Sequence, residues 1–118
     1  MGDRGQIHIH DELNSVYLYT HNGAGHLIRD VRNGMSVGRD RWDDLPYLTH
    51  ILFDSMRDVS DFGGTLGFGI SCMSADDAWR EVDIDMDRQV ITIYNYNENV
   101  QERWMGSFEK FMTINWRK

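Results

Sequence analysis

The chain opens on two stretches of strict alternation. "QIHIH" sets Ile7 and Ile9 against His8 and His10, and "VYLYTH" sets Val16, Leu18 and Thr20 against Tyr17, Tyr19 and His21. A period of two sends alternate side chains to opposite faces of a sheet. With only "DELNS" between them, the two stretches predict a hairpin. "EVDIDMD" alternates in the same way, Val82, Ile84 and Met86 against Glu81, Asp83, Asp85 and Asp87, and "VITIYNY" follows after Arg88 and Gln89 alone. This spacing predicts a second hairpin with a tight turn.

Between the hairpins the period lengthens. "HLIRDVRNGMSVG" places Leu27, Ile28, Val31 and Met35 at helical spacing, with Gly34 weakening the pattern and Gly38 as a stop. Asp43 or Asp44 caps a second helix, with Pro46 in its first turn and Leu48, Ile51, Leu52, Met56 and Val59 as its apolar stripe. "DFGGTLGFGIS" holds too many glycines for a helix, so Gly63 and Gly64 are read as a turn into a strand around Phe68 to Cys72. Near the end, Ser107 begins a short helix that turns Phe108, Phe111 and Met112 inward.

The predicted fold is therefore α+β, one domain over residues 1–118. It has a mostly antiparallel sheet of about five strands in two hairpins, two helices packed on one face, and a short C-terminal helix. The inward face carries Ile7, Ile9, Val16, Leu18, Val82, Ile84, Ile91 and Ile93. The outward face carries His8, His10, Tyr17, Tyr19, His21, Asp83, Asp85, Thr92, Tyr94 and Tyr96. An outward face is ordinarily a mixture of charges; this one gathers rings and imidazoles, either as a ligand surface or as cross-strand pairing that stabilises the sheet.

Composition narrows the function classes. The net charge of −7 excludes general nucleic-acid affinity, which depends on neutralising phosphates. No apolar run reaches the ~20 residues of a membrane helix, and "MGDRGQIHIH" lacks the apolar core of a signal peptide. A cytoplasmic location is expected, in keeping with the single cysteine, Cys72, read here as a small buried hydrophobe. The cations are mostly arginine, and Arg29, Arg32, Arg39 and Arg41 lie close together in sequence. They form either a phosphate-binding set or a solvated helix face paired with Asp30 and Asp40.

The strand-to-helix junction "NGAGH" is open to three readings. It is a phosphate cradle, if the backbone N–H groups at the helix start face an anion. It is part of a metal site, if His21 joins His8 and His10 with acids of the fourth strand, although neither HExxH nor CxxC is present and no metal or cofactor is predicted. It is a plain turn, if Asn22 and Gly23 only supply the dihedrals. A histidine-dependent hydrolase would draw on His21 or His26 with Asp30 or Asp83, and on Ser71 or Cys72, but no motif fixes their geometry.

"VYLYTHNGAGHL", with "RWDDLPYLTHILFDSM" and "GFGIS", resembles a group of small bacterial and phage proteins in which a Tyr-x-Tyr-x-His strand runs into a Gly-rich turn, often Trp-Gly-Gly. Tyr17, Tyr19, His21 and Gly23 match, and Asn22 stands where Trp is common. The resemblance implies a phage or prophage setting, host cytoplasm, and a counter-defence role. The expected function is capture of a small phosphorylated ligand, such as a nucleotide immune signal, without chemistry. Its residues are Tyr17, Tyr19, His21, Gly23, Gly25 and His26, with Arg29, Arg32 and Arg41 for phosphate and Trp42 for stacking. Capture on an open sheet calls for a homo-oligomer. The alternative is an acidic protein that blocks a host defence protein, its carboxylates in residues 76–87 set ~6.6–7 Å apart along the strand like phosphates.

Overall fold

A computed structural model describes residues 3–58, 67–96 and 99–116. Strands β1 (Gly5–His10) and β2 (Ser15–Thr20) form the first hairpin, followed by helices α1 (Leu27–Val37) and α2 (Leu45–Asp58). Then come β3 (Phe68–Ser71), the hairpin of β4 (Arg80–Asp85) and β5 (Val90–Tyr96), β6 (Val100–Ser107) and α3 (Phe108–Met112). The fold is α+β, as the patterning predicts. Among the described residues the strands belong to one six-stranded sheet of order β3-β2-β1-β4-β5-β6.

Two features of that sheet differ from expectation. It is mixed, because β1 and β4 join the two hairpins in parallel, His8 beside Asp83 and His10 beside Asp85. It also gains β6, an edge strand whose residues are mostly exposed, so no buried alternation announces it. The second hairpin turns through residues 86–89 rather than two positions. Asp85 Oδ1 accepts from the Asp87 and Arg88 amides, both at 3.1 Å, and Gln89 takes a positive φ of 53°.

The core lies between the sheet and the helices. Ile7, Ile9, Leu18, Val82, Ile84, Ile91 and Ile93 meet Leu27, Val31, Met35, Leu48, Leu52, Met56, Phe108 and Phe111, all buried. Gly34 belongs to this packing. A Cβ there would stand 2.9 Å from Leu52 Cδ2 and 3.3 Å from Leu52 Cα, so the residue that weakens α1 as a helix lets α2 approach. Asp44 caps α2, its Oδ1 accepting from the Tyr47 amide at 3.3 Å, and Ser107 caps α3 by accepting from Lys110. Val59 and the Gly63–Gly64 turn lie outside the described residues. Cys72 is exposed, not buried, because it follows an edge strand into an open loop. Among the described residues no helix is long and apolar enough to cross a membrane.

The chain leaves edge strand β3 and must reach β4 on the far side of β1. Residues 72–79 make that crossing over the open face, pinned by Gln6, whose Nε2 donates to Ser74 Oγ at 3.0 Å and whose Oε1 accepts from the Ala75 amide at 2.9 Å. This connection walls one side of the candidate site.

Candidate functional site

The outward face gathers its polar groups at the parallel seam. His8 and His10 project from β1, and Asp83 from β4 lies between them. His8 Nδ1 is 3.0 Å from Asp83 Oδ1, and His10 Nε2 is 2.9 Å from Asp83 Oδ2. Ser15 Oγ stands 2.6 Å from His8 Nε2, and the Tyr17 ring stacks on His8 at 4.1 Å with an interplanar angle of 8°. The imidazole is thus held at one nitrogen and along one face, with its other nitrogen presented to the carboxylate. His10 stacks on His8 at 4.5 Å.

Glu81, one pleat along β4, is buried and receives Gln6 Nε2 at 2.8 Å, with its second oxygen 3.9 Å from His8 Nδ1. The two carboxyls titrate in opposite directions. Burial pushes Glu81 up, and the Gln6 hydrogen bond and nearby histidines only partly offset it. Burial also pulls Asp83 upward, but hydrogen bonds and charge from His8 and His10 together outweigh it and hold the carboxyl below its ordinary range. The tyrosines of the face stay neutral phenols: burial, then nearby carboxylates, raises Tyr17 and Tyr94 and takes Tyr96 up to about 12.

Two imidazoles and a carboxylate form a donor set for a divalent transition metal. One ligand atom from each of His8, His10 and Asp83 falls within a common span of 4.8 Å. Adjacent donors on a metal with bonds of ~2.1 Å stand roughly 3.0–3.4 Å apart, near the 3.0 and 2.9 Å that separate His8 Nδ1 and His10 Nε2 from the Asp83 oxygens. The Ser15 contact to His8 is the kind of outer partner that fixes a ligating imidazole. Beside the cluster, Tyr17 and Tyr19 floor a groove of about 560 Å³ walled by Ile70, Met73 and the Ser74–Asp77 loop.

The residues predicted from sequence divide among three places. Tyr17 and Tyr19 lie on the open face, and His21 follows them, 3.1 Å from the Tyr19 hydroxyl and 3.4 Å from Arg4 Nε. His21 therefore stands apart from His8 and His10. The second place is the glycine turn, where Asp3 holds the backbone. Its carboxylate accepts from the Gly25 amide at 2.7 Å and its carbonyl from the Ala24 amide at 2.9 Å. The chain itself supplies the anion, so the expected phosphate cradle is already filled. His26 Nδ1 pairs with the buried Asp30 at 2.6 Å, and neither Ser71 nor Cys72 lies there.

The third place is the helical layer, across the sheet from the tyrosines. Arg29 is exposed 3.7 Å from Asp30, and Arg32 donates to the Ile114 carbonyl. Arg41 stacks on Tyr47 at 4.2 Å, 3.5 Å from Asp44. Trp42 is a core residue, only 8% exposed; its Nε1 donates to the Met35 carbonyl at 3.0 Å, and Arg39 covers its ring. Trp42 offers no free stacking surface. The arginines do not join the tyrosines, because α1 and the turn after it pack on the opposite face of the sheet.

Asp3 and Gln6 escaped the sequence reading, and Glu81 was placed only as a polar position of its strand, not as a buried partner of Gln6. The buried Glu81 opposite Gln6 had one signal: both fall on the histidine side of their strands. No family model matches the chain, and no curated protein and no solved structure is significantly similar to it.

Proposed function

We propose that the protein captures a small phosphorylated ligand on the open face of its sheet, through a divalent transition metal held by His8, His10 and Asp83, and withholds it without chemistry. The observation that supports this reading is the convergence of two imidazoles on one carboxylate beside a tyrosine-floored groove. Charge explains why a metal belongs in it. Glu81, Asp83, Asp85, Asp76 and Asp77 share this side of the molecule, with Arg4 beside Asp77 and Arg88 beside Asp85, so carboxylates outnumber these arginines and a bare phosphate meets repulsion there. An ion held by His8, His10 and Asp83 would offset the local negative charge and supply a Lewis acid for a phosphate oxygen, while Tyr17 and Tyr19 would contact a ring.

The phage setting implied by the Tyr-x-Tyr-x-His resemblance extends the same proposal: the captured molecule would be a signal nucleotide of a host defence. A second copy over the face would complete the enclosure of a ligand that an open groove leaves half in water. Phosphate mimicry by the acidic residues is the weaker reading. Asp83 is engaged by two histidines, Asp77 by Arg4 and Asp85 by its own turn.

Isothermal titration of the full chain with Zn²⁺ and Mn²⁺ tests the metal, and titration of the loaded protein with a cyclic-nucleotide panel tests the ligand. Near-stoichiometric metal binding, weakened at least about 10-fold by His10→Ala and by Asp83→Asn, is the expected result. Nucleotide binding that disappears with chelator, and nucleotide recovered unchanged, completes it. Equal metal affinity in the wild type and both variants would overturn the proposal.

A further inference from the structure

On the core side of the same strand, Arg80 is 2% exposed and fills the end of β4. Buried arginines ordinarily hold a carboxylate. Arg80 has none within 4.0 Å among the described residues, whereas the far more exposed Arg4, Arg39, Arg41 and Arg88 pair with Asp77, Glu109, Asp44 and Asp85. Its hydrogen bond to a described residue runs from Nε to Asn95 Oδ1 at 3.2 Å. Its guanidinium lies 4.4 Å from the Trp79 ring and 5.6 Å from the Trp116 ring.

Two more observations fall at the same place. Arg103, exposed on β6, sets its guanidinium 5.8 Å from that same Trp116 ring, so two cations approach one indole. Trp116 Nε1 is buried without an acceptor among the described residues, a donor left unsatisfied. Burial, then repulsion from Arg103, holds Arg80 below the usual guanidinium range, with Asp3 the opposing charge. Among the described residues, two guanidinium groups and an unused indole N–H stand here with the Asn95 Oδ1 amide oxygen as the acceptor of one Arg80 bond and with no carboxylate within 4.0 Å of Arg80.

We infer that Arg80, Arg103 and the Trp116 Nε1–H form a binding site for a small oxyanion, a phosphate or carboxylate group, on the side of the sheet away from the histidine cluster. Arg80 supplies a pre-oriented fork, its plane fixed by Trp79 and Asn95. Arg103, exposed beside the same indole, supplies the second cation. The trapped anion compensates the buried charge and accepts from the indole. The site is independent of the metal reading, since none of its residues contacts His8, His10 or Asp83.

The test uses the full chain stripped of metal with EDTA and then freed of the chelator by gel filtration, which silences the histidine cluster and leaves no competing carboxylate. Inorganic phosphate and acetate are titrated separately at matched ionic strength in chloride, with thermal midpoint and tryptophan fluorescence as readouts. Saturable stabilisation is expected, weakened at least about 10-fold in Arg103→Gln and in Trp116→Phe, which keeps the ring and removes the donor. Saturation by phosphate alone would assign the site to phosphorylated groups, and saturation by both anions to oxyanions generally; either supports the inference. No saturable response in the wild type, or equal responses in the wild type and both variants, overturns it and leaves a cation stacked on indoles as the role of Arg80. The Arg103 variant keeps the test open even where an Arg80 variant fails to fold.

Discussion

Replacing Asp3 with alanine tests whether the chain's own carboxylate holds the glycine turn. Asp3 Oδ2 accepts from the Gly25 amide at 2.7 Å, and Oδ1 accepts from Trp79 Nε1 at 2.8 Å. Asp3→Ala removes both bonds and keeps the backbone bond from the Ala24 amide. Hydrogen bonds to charged acceptors contribute ~1.5–3 kcal/mol when shielded. The Trp79 bond is partly shielded and takes the low end of that range, about 1.5 kcal/mol; the Gly25 bond is open to water and takes about 0.5 kcal/mol. The sum is a loss of ~2 kcal/mol, which at a urea slope of ~1.5 kcal/mol/M lowers the unfolding midpoint by roughly 1.3 M. Urea unfolding followed by circular dichroism measures this, and hydrogen exchange at the Gly25 amide locates it. A midpoint within about 0.3 M of the wild type, with Gly25 still protected, would refute the latch.

Three other perturbations bear on the fold and the metal. Gly34→Ala gains about 1 kcal/mol of helix propensity but meets Leu52 Cα and Ser55 Cβ, both at 3.3 Å, where overpacking costs ~1–3 kcal/mol; a net loss of about 1 kcal/mol is expected from chemical denaturation. Burial raises the carboxyl of Asp30 against the pull of His26 and Arg29. An acid raised on folding binds its proton more tightly in the folded state, so its contribution is fully present below the unfolded carboxyl value and is lost as pH rises through the folded one. Asp30→Asn should therefore flatten the decline in stability across that window, and an unchanged slope in pH-dependent urea titrations would contradict it. Saturating Zn²⁺ should raise the thermal midpoint of the wild type and leave that of Asp83→Asn nearly unmoved, a difference scanning calorimetry resolves.

The inward face was legible because burial enforces its period: Ile7, Ile9, Leu18, Val82, Ile84, Ile91 and Ile93 are all fully buried, as the alternation requires. The caps at Asp44 and Ser107 were legible for a local reason, since a cap and its amide lie within one turn. What escaped was decided at long range. The β1–β4 seam pairs residues about 75 apart, and nothing in either hairpin names its neighbour. The glycine turn looks like an anion cradle within its own five residues, while the acceptor that fills it comes from 22 positions upstream. The arginines after it are near the tyrosines in sequence and separated from them by the sheet. His8 and His10 could be placed on one face from the pleat alone; that Asp83 stands between them followed only from the register of the seam.

That seam also orders events in time. Each hairpin closes a short loop and forms within microseconds, whereas β1 and β4 meet across a long loop that holds β2, both helices and β3. The pairing between them is the high-contact-order step of the fold and belongs late in its assembly. Because His8 and His10 sit on one side of this junction and Asp83 on the other, the three-donor cluster exists only in chains that have completed it. An ion at that point would act as a rivet across the last joint: it would slow unfolding more than it speeds folding, and its escape rate would report how often the two halves of the sheet part.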